Sequence, residues 1–201
     1  PLAAVTSGLE SWLNGMSGSS AIVLGIVLGL MMCFDLGGPV NKAAYTFATA
    51  GLAADNPASL KIMAAVMAAG MVPPLAMGLA TVVRKRLFSP AEQENGRAAF
   101  LLGASFITEG AIPFAAADPL RVIPSMMAGG AVTGALIMTF DVGSYAPHGG
   151  IFVFFAINPV WGYIVAILAG MVVSTTAVIV AKSMRRAPEA AGAEERVAVA
   201  A

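Results

Sequence analysis

Long uncharged apolar stretches alternate along the chain with shorter stretches that are broken by glycine, proline and single ionisable residues. The long stretches cover residues 11–34, 62–83, 122–140 and 158–181. Because about 20 helical residues span roughly 30 Å of hydrocarbon, each of them predicts one transmembrane helix. The pattern therefore predicts four crossings of a lipid bilayer.

The shorter stretches each carry one ionisable side chain within apolar sequence. They cover residues 40–54, 98–117 and 142–157, with Lys42, Glu109 and His148 respectively. Non-helical backbone at membrane depth has to be sheltered by protein or by a wet cavity, so such segments suit re-entrant hairpins. The predicted fold is all-α, with polytopic transmembrane helices, re-entrant hairpins and broken helices.

Composition supports this class and excludes several others. Hydrophobic residues make up 58% of the chain and charged residues 11%, and 11 basic residues balance 11 acidic ones. Nucleic acid is not an expected partner, because phosphate binding requires a basic face. No cofactor is expected either, since the chain has no Gly-rich Lys-Ser/Thr loop, and no second histidine or cysteine accompanies His148 to form a metal site.

Loop charges predict the orientation of the chain in the membrane. Basic residues bracket the loop at 84–97 and follow the last apolar stretch at 182–186. Both segments should be cytoplasmic by the positive-inside bias. Residues 1–186 are predicted to form the membrane domain, and the Ala/Glu-rich residues 187–201 a flexible cytoplasmic tail.

The motif FDLGGPVNKAAY brings three polar side chains to one predicted turn. Asp35 ends an apolar stretch, Gly37 and Gly38 permit a reversal, and Asn41 and Lys42 follow. A carboxylate and an amide at such a turn could bind sugar hydroxyls. An Asp35–Lys42 ion pair that fixes the turn is an equally weighted alternative.

Two further motifs place an ionisable side chain on irregular backbone within apolar sequence. Glu109 in SFITEGAIPF is predicted at a hairpin tip, where its carboxylate could orient a sugar hydroxyl or act as a base, rather than cap the following helix. His148 in APHGGIF is either a hydroxyl ligand and proton acceptor or a structural residue.

Other features of the sequence are interpreted as structural. In AADPLR, Asp118 followed by a proline matches a helix cap, and Arg121 three residues later can pair with it. Pro73 and Pro74 lie within an apolar stretch, where a kink accommodated by neighbouring helices is favoured over a contact with substrate.

Four motifs in this order closely resemble the fructose-specific enzyme IIC of the bacterial phosphoenolpyruvate-dependent sugar phosphotransferase system. They are FDLGGPVNKAAYTFA, AAGMVPPLAMGLAT, SFITEGAIPFAAADPLRVIPS and APHGGIFV, and the resemblance runs from about residue 5 to residue 186. It implies an inner-membrane permease that carries fructose inward and presents it to a phosphocysteine on enzyme IIB, which gives fructose 1-phosphate. It also implies a homodimer in the full-length protein, of which this chain resembles the carboxyl-terminal part.

The resemblance also implies roles for individual residues. Glu109 and His148 would contact the sugar and carry the chemistry, and Thr108 and Glu109 lie in the counterpart of the family's Gly-Ile-Thr-Glu tip. Phe106 stands where the wider superfamily has glycine. No residue of this chain is expected to be phosphorylated, because Cys33 lies within an apolar helix.

Two other functional classes remain open. An ion-coupled secondary sugar transporter would use Glu109 and Asp35 as ion sites and would accumulate unmodified sugar. A non-transporting membrane scaffold predicts that Glu109→Gln and His148→Ala leave sugar binding unchanged. All three classes share membrane lipid as a partner.

Overall fold

The chain folds into a helical bundle in a computed structural model, which describes residues 19–52 and 57–199, with side chains described to residue 184. The helices are α1 Ser19–Phe34, α2 Pro39–Leu52, α3 Pro57–Val83, α4 Pro90–Ala104, α5 Ile112–Ala117, α6 Pro119–Thr139 and α7 Val160–Val199. Short 3-10 turns cover Lys85–Leu87, Thr108–Ala111 and Gly150–Ala156. Two-residue strands, β1 Gly143–Ser144 and β2 Ile157–Asn158, pair antiparallel. The predicted all-α class is confirmed.

Three helices in the described part of the chain are long and apolar enough to cross a membrane. They are Pro57–Val83, Pro119–Thr139 and Val160–Met184. The chain is thus a polytopic membrane protein, as predicted. The last helix continues to Val199, through most of the predicted tail, whose mobility stays a prediction.

The predicted crossing at residues 11–34 needs correction within its described part. Residues 11–18 lie outside the described residues, and the described part of α1, Ser19–Phe34, covers about 24 Å at a helical rise of 1.5 Å. Its carboxyl end contacts α3 near Gly70, the central residue of that helix, so α1 ends near the middle of the bundle. The length of an apolar run does not reveal such a turn, because both arms of a hairpin are apolar.

Helices α1 and α2 form a helical hairpin that enters from the side where α3 begins. The chain reverses at residues 35–38, and Gly51, at the far end of α2, lies against Ser59 in the first turn of α3. The stretch predicted as re-entrant at 40–54 is therefore the second arm of this hairpin over its described residues.

A second hairpin enters from the opposite side. Helix α4 begins just after the loop that follows α3, the chain turns at residues 105–111, and α5 returns to Asp118. Asp118 lies beside Lys182, which also pairs with Glu92 at the start of α4. Both arms therefore open on the same side, as predicted for residues 98–117, although the first arm already begins at Pro90.

A largely buried ion cluster closes the base of this second hairpin. Lys182 Nζ lies 3.3 Å from Glu92 Oε1, 3.9 Å from Asp118 Oδ2 and 4.8 Å from the centre of the Phe88 ring. Arg121 Nη1 donates to Asp118 Oδ1 at 2.9 Å. Asp118 occupies the position before α6 but makes no side-chain cap hydrogen bond there, because its carboxylate binds the two cations instead.

Glycines allow α1 and α6 to pack with their backbones close together. Gly25 faces Gly134, and Gly29 faces Gly130, so the two helices run antiparallel. A Cβ atom at any of these positions would collide with a backbone carbonyl of the facing helix. Small residues four positions apart are typical of helix interfaces in membranes, where van der Waals packing drives association.

We expect Gly130→Val to disrupt this interface. Its side chain would meet the Gly29 carbonyl and the Cys33 sulfur, and overpacking of this kind costs about 1–3 kcal/mol. The free energy of unfolding, measured on the purified protein in detergent, should fall by that amount. The control Ala128→Val lies on an exposed position of the same helix and should have little effect. Equal losses from the two substitutions would contradict the packing described.

Candidate functional site

Two consecutive prolines interrupt the backbone hydrogen bonds in the middle of α3. Pro73 and Pro74 both lie inside this helix, which is continuous through them. In an α-helix the N–H of each residue donates to the carbonyl four residues earlier, and proline has no N–H. The carbonyl oxygens of Ala69 and Gly70 therefore lack their helical donors.

Each of these two carbonyls accepts a hydrogen bond from one of the hairpins. The Thr108 hydroxyl, at the tip of the α4–α5 hairpin, donates to the Gly70 carbonyl at 2.9 Å. The Cys33 thiol, near the end of α1, donates to the Ala69 carbonyl at 3.5 Å. The sequence predicts a kink at these prolines. In the structure, the two carbonyls that the prolines leave free accept hydrogen bonds from both hairpins and so hold the hairpin tips at the centre of the bundle.

The tip of the α4–α5 hairpin is shaped by a left-handed residue after α4. Phe106 has φ +64°, its N–H donates to the Gly103 carbonyl at 3.1 Å, and the Ile107 N–H donates to the Leu102 carbonyl at 2.8 Å. This is the Schellman pattern, in which glycine normally occupies the left-handed position. Phe106 fills it at a steric cost of roughly 1 kcal/mol, and its ring is buried against Gly70.

Glu109 lies at this tip and faces the turn of the other hairpin. Its side chain lies against Gly37, where an added Cβ would be 2.6 Å from Glu109 Oε1. Gly37 has φ +106°, which favours glycine, and the nearby Glu109 side chain leaves no room for a Cβ atom at this position. The Glu109 side chain is exposed, and its carboxylate has no hydrogen-bond or ion-pair partner among the described residues. It does not cap α5, whose N-cap position is Ala111.

The turn between α1 and α2 is held by its own polar side chains. The Asp35 carboxylate accepts from the backbone N–H groups of Val40 at 2.7 Å and Asn41 at 2.9 Å, which caps the start of α2. The Asn41 side-chain amide donates to the Met32 carbonyl at 2.7 Å, near the end of α1. In the described part of the chain no ion pair joins Asp35 to Lys42, whose side chain is exposed.

His148 reaches the same region from the loop between β1 and β2. Its ring centre lies 4.9 Å from that of Phe106 and 6.3 Å from that of Tyr45, and the two latter rings are 6.1 Å apart. The loop packs against the end of α4 through Gly150, where a Cβ would collide with backbone. Phe106 thus connects the exposed His148 with the hairpin tip that carries Glu109, and no hydrogen bond joins these two side chains within the described residues.

The structure adds Tyr45 and Phe106 to the residues expected from the sequence. Tyr45 lies one helical turn after Asn41, so the i, i+4 spacing could have placed it near the turn. Phe106 could not be found in this way, because its role depends on a left-handed backbone that phenylalanine rarely adopts. Together the site offers a carboxylate acceptor, an imidazole that can donate and accept, and the part-exposed Tyr45 ring for apolar atoms of a ligand.

Of the other expected residues, Thr108 is buried and its hydroxyl is committed to Gly70, while Asp118 and Arg121 form their pair away from this site. Among the described residues no group of three or more His, Cys, Asp or Glu side chains is arranged to hold a metal ion. The Glu109 carboxylate and the His148 imidazole can form hydrogen bonds with the hydroxyl groups of a polar ligand.

Comparison with known proteins gives a consistent result. A family model described as "Phosphotransferase system, EIIC" matches residues 2–129. The chain is 58% identical over 177 residues to the "PTS system fructose-specific EIIB'BC component" of Vibrio cholerae, covering 87% of this chain and 30% of that protein. The protein of the same name from Escherichia coli K12 is 55% identical over 177 residues, with coverage of 87% and 31%.

A shorter relative is the "Fructose-like permease IIC component 2" of Escherichia coli K12. It is 46% identical over 190 residues, which cover 92% of this chain and 51% of that protein. The chain therefore spans about 30% of the length of the first two relatives and about half of the third. No solved structure matches the chain.

We expect Thr108→Val to loosen the tip that carries Glu109. The substitution keeps the side-chain shape but removes the hydrogen bond that the Thr108 hydroxyl donates to the buried Gly70 carbonyl, which costs about 1–3 kcal/mol. Thermal unfolding in detergent should show this loss. Thr139→Val is the matched control, because the exposed Thr139 hydroxyl donates to a carbonyl of its own helix. If both variants unfold like the wild type, the Thr108 hydrogen bond does not hold the tip.

Proposed function

The chain belongs to the phosphotransferase system EIIC family, and from this premise we propose that it forms the part of a fructose permease subunit that binds the sugar. The resemblance found in the sequence is thereby confirmed at the level of the family. The chain is a multi-pass protein of the bacterial inner membrane. The observation that supports the proposal is that Glu109 lies where the two hairpin tips touch, while His148 packs beside Phe106 of the same tip and Tyr45 of the other hairpin.

Within this proposal the polar side chains have distinct tasks. The Glu109 carboxylate accepts hydrogen bonds from sugar hydroxyls, and the His148 imidazole donates to or accepts from another. Tyr45 packs against the apolar C–H face of the ring, the buried Phe106 supports the His148 imidazole from behind, and Lys42 contributes a further donor from the exposed side of α2. Asp35, Asn41 and Thr108 act mainly by fixing the two tips, because their polar groups already bind backbone.

The phosphoryl donor in this proposal is a phosphocysteine on an enzyme IIB domain. Cys33 is the only cysteine of the chain, it is fully buried and its thiol donates to a backbone carbonyl, so it is not accessible to a phosphoryl donor. The relatives named as EIIB'BC components join B and C parts in one protein, which supports such a partner.

The proposed transfer yields fructose 1-phosphate. The phosphorus–sulfur bond of the phosphocysteine breaks as a phosphorus–oxygen bond forms to the C1 hydroxyl of fructose. The hydroxyl proton passes to Glu109 or His148, and the cysteine leaves as a thiolate. The negative charge of the product then prevents its return through the apolar bundle.

The ion-coupled alternative has less support. It would use Asp35 as an ion site, but both carboxylate oxygens of Asp35 already accept backbone hydrogen bonds. The scaffold alternative does not assign a function to the polar side chains at the hairpin tips. The names of the relatives refer to fructose-specific or fructose-like components of the phosphotransferase system, which favours the permease.

We expect Glu109→Gln and His148→Ala, introduced singly into the complete subunit, to reduce formation of fructose 1-phosphate roughly 10- to 150-fold, as loss of a charge-assisted hydrogen bond predicts. The assay uses membrane vesicles, labelled fructose and phosphorylated enzyme IIB. Glu94→Gln is the control, since Glu94 is an exposed acid on the loop side of α4.

The outcomes separate the three classes. Wild-type rates in both site variants would refute the proposed roles of Glu109 and His148. Accumulation of unmodified fructose in the absence of a phosphodonor would instead support an ion-coupled carrier. Absence of fructose binding in the wild-type subunit would support a scaffold.

A further inference from the structure

A cavity of about 580 Å³ opens between the end of α3 and α7, on the side of the bundle where α4 and α5 form the base of their hairpin. Its walls are Val82 and Val83 of α3, residues 84–87 of the following turn, and Ser183 of α7. This cavity is separate from the candidate sugar site, which lies half the length of α3 away. We call it the basic cavity.

Three cationic side chains line the basic cavity without a carboxylate partner. Arg84, Lys85 and Arg86 are consecutive and exposed, and none of them forms an ion pair within the described residues. The nearby buried acids, Glu92 and Asp118, are paired with Lys182 and Arg121 instead. The exposed Glu94 lines a neighbouring cavity together with Lys85, but none of the described residues that line the basic cavity is acidic, so its lining carries a net positive charge.

The loop that carries these cations is held in place by the protein itself. The Gln93 side-chain amide donates to the Lys85 carbonyl at 3.1 Å and to the Phe88 carbonyl at 3.0 Å. A capping box between Ser89 and Glu92 fixes the next turn. A ligand would therefore meet a preformed loop backbone and would have to order only the cationic side chains.

An apolar surface adjoins the basic cavity on the membrane side. Val82 and Val83 are each 57% exposed, and on α7 Val180 is 52% and Met184 72% exposed. These residues lie at the ends of two helices that are long and apolar enough to cross the membrane. The surface next to the charges therefore suits hydrocarbon, not water.

We propose that the basic cavity binds one anionic phospholipid. Its phosphodiester contacts Arg84, Lys85 and Arg86, and its acyl chains lie along the exposed valines. Guanidinium groups bind phosphate oxygens in a bidentate manner, and basic pockets between transmembrane helices on the cytoplasmic side bind anionic head groups. A soluble anion would use the charges but not the apolar surface, which is why we assign the site to a lipid.

The test measures lipid binding to the complete subunit by native mass spectrometry in detergent. Phosphatidylglycerol, phosphatidylcholine and inorganic phosphate are titrated separately. The wild-type protein should retain one tightly bound phosphatidylglycerol, and in the double variant Arg84→Gln, Arg86→Gln its affinity should fall by roughly tenfold or more. Phosphatidylcholine should bind no differently to the two proteins.

Two further variants serve as controls. Arg97→Gln removes a charge that lines a neighbouring cavity on the same side, and it should leave the tightly bound phosphatidylglycerol in place. Arg84→Lys with Arg86→Lys keeps the charge but loses the bidentate hydrogen bonds, so its affinity should lie between those of the wild type and the double glutamine variant. If the double variant does not fold, Arg84→Gln and Arg86→Gln introduced singly should each show a partial loss.

The proposal is overturned if the double variant binds phosphatidylglycerol like the wild type, or if inorganic phosphate displaces the lipid completely at millimolar concentration. It is also overturned if the double variant keeps its lipid but loses phosphotransfer from enzyme IIB, because the cations would then serve a protein partner. Lipid binding is measured without sugar, so its result is independent of the proposed fructose site.

Discussion

The position of both hairpins depends on two backbone carbonyls in the middle of α3, which Pro73 and Pro74 leave without helical hydrogen-bond donors. An unsatisfied carbonyl buried at this depth costs about 1–3 kcal/mol, so partners have to come from elsewhere. Thr108 from one hairpin and Cys33 from the other supply them. A feature that would weaken an isolated helix thus fixes where two opposed hairpins meet, and this meeting point positions the candidate site.

Close approach at this point requires residues with little or no side chain. Gly70 lies against Phe106, Met32 and Thr108, and Gly37 lies against Glu109. Charged side chains are distributed differently at the ends and at the centre of the bundle. Ion pairs in the described part of the chain lie near the ends of the bundle, whereas Glu109 at the central tip has no cation beside it. A carboxylate left without a partner on a braced tip can accept hydrogen bonds from a neutral polar ligand.

The sequence predicts the helical class, the hairpin near residues 98–117 and the proximity of Asp118 and Arg121, because these follow from hydropathy and local spacing. It does not predict that residues 19–34 form a hairpin arm, since an apolar run has the same composition whether it crosses or turns back. Hydropathy also cannot reveal that Phe106 is left-handed, or which side chains reach the carbonyls of Ala69 and Gly70. Those features depend on contacts between segments that are distant in sequence.

The most direct test of this account is the structure of the complete subunit with bound fructose, determined by electron cryomicroscopy. We predict that the sugar lies between the Glu109 carboxylate and the His148 ring, with Tyr45 beside it, and that Thr108 still donates to the Gly70 carbonyl. Sugar density away from both hairpin tips, or a map in which Glu109 and His148 face lipid on different sides of the bundle, would contradict it.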